Sequence, residues 1–335
     1  MLDGRYSDAM DVLADALAAM RAGLPRSART DVRAPWGLRF PEINGMSFHV
    51  VVRGSCWLLP TGDRSQPTQL FPGDLVLLRD GSTHALADQP GTPLTDFDPV
   101  LSDPASPIGR VELDGPGAAT LMLCGAYQLR RFRAHPLMAE LPEVIYIPAS
   151  RGAHPGLRAA IDLLGSELEN ARPGGAGIVP ALVDAMLLYI LRAWMDDHDS
   201  ESHGWASALL DPAVGGALAA IHSDPARRWT VQDLSATVGL ARSTFAERFV
   251  RLVGTPPLTY LTWWRMTIAE RRIRHSSDPL DVLAREVGYA SEFAFAKAFK
   301  RELGVAPGQY RRAVAPTDTA PSEKSLVRAN SRWTG

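Results

Sequence analysis

The sequence of 335 residues has only two cysteines, Cys56 and Cys124, and lacks the marks of several common protein classes. It has no CxxC motif, no phosphate-binding glycine loop and no Ser/His/Asp pattern typical of hydrolases. No segment reaches the roughly 20 uncharged apolar residues that cross a bilayer, because the best candidate, residues 181–195, contains Asp184 and Arg192. We therefore expect no membrane association and none of these catalytic motifs.

The N-terminal segment also lacks the basic character of a secretory signal. Residues 1–21 carry four aspartates, which is the wrong charge for such a signal, so we expect a cytoplasmic protein. A chain of this length exceeds one hydrophobic core, and two domains joined by a connecting segment are the starting expectation.

The net charge of −2 hides a strong asymmetry along the chain. Residues 225–312 contain 15 Arg and Lys against 8 Asp and Glu, a net charge of +7, whereas residues 1–224 carry about −10. A basic third joined to an acidic remainder favours a nucleic-acid-binding module attached to a domain that does not contact nucleic acid.

The N-terminal half changes from β to helical patterning. Short apolar runs separated by Gly, Pro and Asp predict strands of a sandwich or barrel at residues 47–52, 56–59, 74–78, 119–123 and 144–147. Longer helical patterns follow at residues 156–170 and 179–196, after a proline-rich loop at residues 90–107 and before a linker at residues 196–204. The second of these helices is apolar on most of its circumference, which predicts either packing on the first helix or a dimer interface.

The C-terminal third contains an internal repeat. Leu234, Val238 and Gly239 recur 49 residues later, and five further residues recur 50 residues later, so the second copy has one extra residue in its turn. The five residues are Phe245, Phe249, Gly254, Pro257 and Tyr260. Chance does not readily supply eight matches with a single slip.

Each copy has the parts of a helix-turn-helix unit. A short helix, residues 231–237 or 280–286, ends at a glycine that can adopt a positive φ, and a second helix follows with phenylalanines at i and i+4. Because the phenylalanines belong to the core, the opposite face of the second helix is free to enter a major groove. We therefore predict that residues on this face contact DNA. In the first unit they are Arg242, Ser243, Thr244, Ala246 and Glu247, and in the second they are Ser291, Glu292, Phe293, Lys297, Lys300 and Arg301.

Residues 258–275 contain neither Pro nor Gly and predict a helix that joins the two units. A rod of about 27 Å can hold two reading helices about one turn of DNA apart. Arg265, Arg271, Arg272 and Arg274 give it a cationic surface that we expect to contact phosphates.

The run GYASEFAFAKAFKRELGVAPGQYRR, preceded by PLDVLAREV, resembles the signature of AraC-type transcription regulators over residues 215–312. The resemblance implies that the two reading helices insert into successive major grooves. Two residues depart from the family pattern: Ala241 replaces a common capping Ser, and Glu247 replaces a frequent basic base-reader. Glu can accept from cytosine N4, and Phe293 can contact a thymine methyl group.

The N-terminal runs RGSCWLL, LFPGDLVLLRDGSTHAL and LMLCGAYQL are similar to the cupin-like sensor domain of one AraC subfamily. In metal-binding cupins, a His at the position of His84 is a metal ligand, with two further His and a Glu. Here His49 is the one plausible partner, so we expect no catalytic metal site and no cofactor.

The two cysteines leave three interpretations open. In the first interpretation, Cys56 and Cys124 are small buried hydrophobic residues. In the second, they form a redox sensor similar to those of a subfamily that responds to reactive chlorine. In the third, they belong to a metal sensor together with His49 and His84.

The sequence therefore predicts a multidomain α+β protein. We expect a cupin-like sensor β-barrel at residues 1–150, a helical linker and dimerisation segment at 151–205, an all-α domain with two helix-turn-helix units at 206–313, and a disordered tail at 314–335. The predicted function is a sequence-specific DNA-binding transcription regulator that responds to a small molecule or an oxidant, and the family resemblance implies an activator. Expected partners are double-stranded DNA, RNA polymerase and a second copy of the chain. The alternative is a cupin-type metal-dependent enzyme fused to a DNA-binding domain.

Overall fold

The computed structural model of the protein describes residues 11–60, 66–97, 107–129, 135–149, 154–170, 172–197 and 204–314. The chain divides into two compact units: the first contains the residues up to 224 together with 229–261, and the second contains residues 225–228 and those from 262 onward. Parts of the predicted proline-rich loop and interdomain linker, and nearly all of the predicted tail, lie outside the described residues.

The first unit contains two β-sheets that enclose an apolar core. The strands are β1 Arg26–Arg33, β2 Gly37–Phe40, β3 Gly45–Arg53, β4 Cys56–Pro60, β5 Thr68–Leu70, β6 Leu75–Leu78, β7 His84–Ala87, β8 Thr95–Asp96, β9 Ile108–Leu113, β10 Ala119–Gln128 and β11 Val144–Ile147. One sheet has the order β11-β6-β3-β10-β1-β9, and the other has the order β5-β4-β7-β2-β8.

Both sheets contribute side chains to one core, with Val51 and Met122 from the first sheet and Leu38, Leu58 and Leu86 from the second. Burial of these faces away from water is the main favourable term for such a fold. All five strands predicted from apolar runs are present, and the predicted N-terminal β-fold is confirmed.

The helices are α1 Val12–Met20, α2 Pro136–Glu140, α3 Pro155–Glu169, α4 Gly175–Asp197, α5 Trp205–Leu210, α6 Pro212–Ser223, α7 Val231–Thr237, α8 Arg242–Val253, α9 Pro257–His275, α10 Leu280–Glu286, α11 Glu292–Leu303 and α12 Pro307–Val314. The helices predicted at residues 156–170, 179–196 and 258–275 are confirmed with small changes at their ends. Helix α9 has 19 residues, about 28 Å at 1.5 Å per residue.

Helix α4 packs against α3 and strand β1, which confirms the intrachain interpretation of its apolar circumference. Val183, Met186 and Ile190 are fully buried in this packing, and the backbone N–H of Leu187 donates to the Tyr127 hydroxyl at 3.2 Å. By length and composition alone, α4 is also the one described helix that would be able to cross a membrane. Its contacts are those of a core helix.

The first helix-turn-helix unit consists of α7 and α8, and it lies in the first compact unit. A capping box starts α7, in which the Thr230 hydroxyl accepts from the Asp233 N–H and the Asp233 carboxylate accepts from the Thr230 N–H. Phe245 and Phe249 of α8 are fully buried, so they fix how this helix is oriented.

The second helix-turn-helix unit consists of α10 and α11 in the second compact unit. Phe295 and Phe299 are fully buried in a cluster with Leu283 and Ile273. Gly239 and Gly288, the turn glycines of the two units, have φ values of +69° and +78°, as predicted from the repeat.

Candidate functional site

The first turn of helix α8 is exposed. Arg242, Ser243, Thr244 and Glu247 are exposed and Ala246 is half-buried, while Phe245 behind them is fully buried. Arg242 and Glu247 form no ion pair with a residue in the described part of the chain. Their side chains are therefore available to an external partner.

Helix α11 repeats this pattern residue for residue. Ser291, Glu292 and Phe293 are exposed, as are Lys297, Lys300 and Arg301, and the fully buried Phe295 takes the place of Phe245. Phe293 is 79% exposed, which is unusual for so large an apolar side chain and favours contact with a partner. Arg301 pairs with Glu302 at 2.8 Å.

The two helices begin differently. Ser291 caps α11 by accepting a hydrogen bond from the Ala294 N–H at 3.2 Å, whereas Ala241 offers no side-chain cap to α8. A missing cap costs about 1 kcal/mol of helix stability, so the departure from the family pattern at Ala241 has a structural consequence.

Three of the four arginines of α9 that are expected to contact phosphates have intrachain partners, and phosphate contact stays a prediction for all four. Arg265 donates to the carbonyls of Pro225 and Arg227 at 2.7 and 2.8 Å, and Arg272 pairs with Glu286 at 2.9 Å. Arg274 pairs with Glu270 and hydrogen-bonds to Tyr310. Arg271 alone of the four is exposed without an ion pair to a described residue.

A second candidate site is a cavity of about 130 Å³ inside the N-terminal β-fold. It is lined by Arg26, Ser27, Ala28, Phe40, Pro41, Ile43, Ser47, His49, His84, Phe97, Pro107, Gly109, Cys124, Gly125 and Ala126. Strand register places several of them in two rows on one face of the sheet. Cys124 lies between Ala28 and His49 in one row.

In the next row, Ala126 lies between Arg26 and Ser47. Because side chains alternate along a strand, the side chains of both rows lie on the same face of the sheet, the face on which Cys124 contacts the core. The small side chains of Ala28 and Ala126 leave the space that forms the cavity.

Four side chains and one carbonyl form a continuous hydrogen-bonded chain beside the cavity. His84 Nδ1 lies 2.7 Å from the Ser82 carbonyl oxygen, which can only accept, so this nitrogen carries a proton. In a neutral ring His84 Nε2 then accepts from His49 Nε2, at 2.8 Å, and His49 Nδ1 accepts from the Cys124 thiol, at 3.0 Å. The Thr30 hydroxyl donates to Cys124 Sγ at 3.7 Å.

Burial keeps His49, His84 and Cys124, the titratable groups of this hydrogen-bonded chain, neutral at physiological pH. Desolvation, with a contribution from His84, holds the pKa of His49 well below its usual value of 6.5, and desolvation also lowers the pKa of His84. Desolvation raises the pKa of the Cys124 thiol to about 12, against a smaller opposing effect of the Thr30 hydroxyl. The thiol therefore acts as a hydrogen-bond donor and not as a thiolate.

Cys56 does not belong to this chain of hydrogen bonds. It is fully buried in the core between the sheets, with its sulfur 3.7 Å from the Met122 sulfur. Desolvation, together with Cys124 and Asp74, raises the pKa of its thiol to about 12. The structure thus brings together Cys124, His49 and His84 but leaves Cys56 among apolar side chains.

The residues of the cavity do not fit the metal site of a metal-binding cupin. Among the described residues, no group of three or more His, Cys, Asp or Glu side chains is placed to hold a metal ion. The two nitrogens of His49 point in opposite directions, one toward Cys124 and the other toward His84, and therefore cannot serve a common ion with both neighbours.

The sequence interpretation did not foresee a buried polar link in the first unit. His222 of α6 has its Nδ1 2.7 Å from a carboxylate oxygen of Asp15 in α1, and its Nε2 2.8 Å from the Tyr260 hydroxyl in α9. The ring of His135 packs edge-on against Trp205 at 4.2 Å between centroids. Asp15 and His222 are 207 positions apart in sequence, and no local pattern relates them.

Two family models match the chain. A model described as cupin matches residues 11–196, and a model described as helix-turn-helix domain matches residues 234–313.

Several curated proteins are similar over most of their length. A putative AraC-like transcription regulator from Streptomyces lividans is 34% identical over 90% of this chain and 98% of its own length. The RCS-specific transcriptional activator RclR from Escherichia coli K12 is 30% identical over 82% of this chain and 86% of its own length. Among solved structures, the DNA-binding domain of AdpA in complex with a target DNA is 32% identical over 31% of this chain and 92% of that structure, with a TM-score of 0.29.

Proposed function

Because this chain belongs to the AraC-type transcription regulators and binds double-stranded DNA through its helix-turn-helix domain, we propose that helices α8 and α11 are its two base-reading elements. The observation that carries this assignment is the identical exposure of their first turns in front of a fully buried phenylalanine. Arg242, Ser243, Thr244, Ala246 and Glu247 read one major groove. Ser291, Glu292, Phe293 and Lys297 read the next, with Lys300 and Arg301 on phosphates.

Footprinting on the promoter adjacent to the protein's own gene tests this assignment. Two adjacent major-groove contacts by one chain protect about 17 base pairs or more. A shorter protected segment would mean that only one of the two helices reads DNA.

We further propose that the cavity in the cupin domain is a sensor site for a small molecule and not a catalytic centre. Its hydrogen-bonded chain is neutral and its ligand set does not fit a metal, whereas its walls are largely apolar, as in small-molecule sites. Stoichiometric iron or manganese in the purified protein would instead support the enzyme alternative.

A thermal-shift screen of small organic compounds tests the sensor role. Compounds that occupy the cavity raise the melting temperature of the wild type but not of Ala126→Phe, in which the new ring fills the space above the central strand. If every stabilising compound acts equally on both proteins, the cavity is not the sensor site.

Oxidant sensing is the second candidate signal. It is favoured by the position of Cys124 on the cavity wall and by the name of the RCS-specific relative. Burial of Cys56 favours a packing role for that residue. An unchanged response of DNA binding to hypochlorous acid in both Cys56→Ala and Cys124→Ala would remove this candidate.

We extend the proposal to location and partners. The protein acts in the cytoplasm as a homodimeric activator that contacts RNA polymerase, in line with the activator named among its relatives. Leu163 of α3 and Ile178 of α4 are apolar and exposed, and they are the proposed dimer contacts. Sedimentation of Leu163→Asp and Ile178→Asp tests this point, because dissociation is expected only if these residues lie in the interface.

A further inference from the structure

The size of the cavity limits its ligand to a small molecule. A volume of about 130 Å³ is close to that of apolar protein cavities that hold one benzene molecule, roughly 150 Å³. Phe40, Phe97 and Ile43 supply apolar walls, and the Phe40 ring stacks on His84 with 5.0 Å between centroids. The ligand body is therefore a single ring or a short branched chain.

The histidines and the cysteine offer little to such a ligand. In the neutral tautomers derived above, both ring nitrogens of His49 and of His84 are already used within the chain, and the Cys124 proton is directed at His49. The polar groups with free hydrogen-bonding capacity lie one row nearer the start of β1.

These free groups are Ser47 and Arg26. Among the residues that the structure describes, the Ser47 hydroxyl has no hydrogen-bond partner, and only 7% of the residue is exposed. Buried hydroxyls are rarely left unpaired, because an unpaired one costs free energy, and such a group inside a cavity points to a ligand that pairs with it. Arg26 is half-buried at the cavity and forms no ion pair with a residue in the described part of the chain.

The register fixes how far apart these two groups are. Arg26 and Ser47 flank Ala126 on the two neighbouring strands, so their backbones lie about 10 Å apart with only a methyl group between them. The long arginine side chain spans much of this distance. One anionic group above Ala126 can accept hydrogen bonds from both the guanidinium and the hydroxyl.

We propose that the cavity binds a small organic carboxylate, with its apolar body between Phe40 and Phe97 and its carboxylate above Ala126 between Arg26 and Ser47. The proposal rests on the sensor role of the cavity given above and names the chemical class that this site takes. Arg26 supplies the charge that selects an acid over a neutral compound of the same shape, and Ser47 supplies a second donor.

Calorimetric titration of the full-length protein with benzoate and with benzamide tests the proposal. The two probes have nearly the same shape and differ in charge. We expect benzoate to bind at least about tenfold more tightly than benzamide, because a hydrogen bond to a charged group contributes roughly 1.5 kcal/mol or more.

Three variants locate the effect. Arg26→Gln removes the charge and is expected to abolish the preference for benzoate, and Ser47→Ala weakens benzoate binding several-fold. Arg110→Gln is the matched control, because Arg110 on β9 pairs with Glu112 and does not line the cavity. Without ligand, Ser47→Ala is expected to keep or raise the melting temperature, because it removes an unpaired buried hydroxyl. A lower melting temperature would indicate a structural role for Ser47 and would contradict the proposal.

The outcomes separate this inference from the sensor role. If benzoate and benzamide bind the wild type with equal affinity and neither binds Ala126→Phe, the carboxylate assignment is overturned and the sensor role stays intact. A preference for benzoate that survives in Arg26→Gln places the anion elsewhere and also overturns it. Failure of benzoate to bind overturns the inference, whereas the sensor role is decided by the compound screen.

Discussion

His222 donates a hydrogen bond from Nδ1 to the carboxylate of Asp15, across 207 positions of sequence, with 2.7 Å between the two atoms. Because His222 is neutral, its Nε2 accepts from the Tyr260 hydroxyl at 2.8 Å. Helix α1 of the cupin domain is thus tied to two helices next to the first helix-turn-helix unit.

We expect His222→Ala to destabilise the protein by about 2–4 kcal/mol, because it leaves the Tyr260 hydroxyl and Asp15 without this partner and opens a cavity. Tyr260→Phe removes one donor only, and we expect a loss of about 1–3 kcal/mol. Thermal unfolding of the full-length chain measures both effects. His275→Ala is the control because that side chain is exposed. Similar melting temperatures for His222→Ala and His275→Ala would show that the link contributes no stability.

Stability should fall as the pH falls below about 6.5. Desolvation lowers the pKa of His49, His84, His135 and His222 from a usual value of 6.5, so the unfolded chain binds protons that the folded chain does not. Each such group removes up to about 1.4 kcal/mol of stability per pH unit in this window.

Melting temperatures at pH 7.5, 6.5 and 5.5 test this dependence above the ordinary carboxyl range. We expect the melting temperature to be lowest at pH 5.5. The decrease between pH 7.5 and 5.5 should be smaller in His49→Asn, which lacks one of the four histidines. Equal or greater stability at pH 5.5 would contradict the assignment of buried neutral imidazoles.

The charges on α11 should account for part of the salt dependence of DNA binding. Lys300→Ala removes one proposed phosphate contact and is expected to weaken binding to all sequences alike, with the slope of log K against log salt reduced by about 0.9. Lys297→Ala is expected to cost about 1–3 kcal/mol and to relax preference at one base pair. Arg272→Ala is the control, because Arg272 is engaged by Glu286. Binding isotherms at several salt concentrations give both quantities. An effect of Arg272→Ala as large as that of Lys300→Ala would contradict this division of roles.

The two turn glycines provide a matched pair. Gly239→Ala adds a methyl group in open space and costs about 1–2 kcal/mol through its positive φ alone. The same change at Gly288 places the methyl carbon against the Ala226 carbonyl oxygen, closer than van der Waals contact allows, so we expect a loss at least about 2 kcal/mol larger. Thermal unfolding distinguishes the two variants, and equal losses would mean that the segment at Ala226 moves aside freely.

The repeat made the helix-turn-helix units predictable, because buried phenylalanines and turn glycines are local requirements of that motif. Strand β1 was missed because three of its eight residues are arginine. Arg29 on its outer face pairs with Glu169 of α3, and its inner face lines the cavity, so neither face shows simple apolar alternation.

Long-range partners are the other part of the structure that the sequence does not reveal. Arg265 donates to the backbone carbonyls of residues 225 and 227, and no local pattern relates it to them. The hydrogen-bonded chain beside the cavity was only half visible in the sequence. His49 and His84 were recognised as partners, whereas the contact of His49 with Cys124 depends on the register between β3 and β10.

Helices α8 and α11, the proposed base-reading elements, share their exposure pattern but not their chemistry. At equivalent positions of the repeat, Arg242 corresponds to Glu292, Ser243 to Phe293 and Glu247 to Lys297. A DNA element read by these two helices therefore has a head and a tail. Under the proposed base-reading and activator roles, inverting that element would reverse one bound chain relative to the start of transcription, so we expect the element of one chain to work in one orientation only.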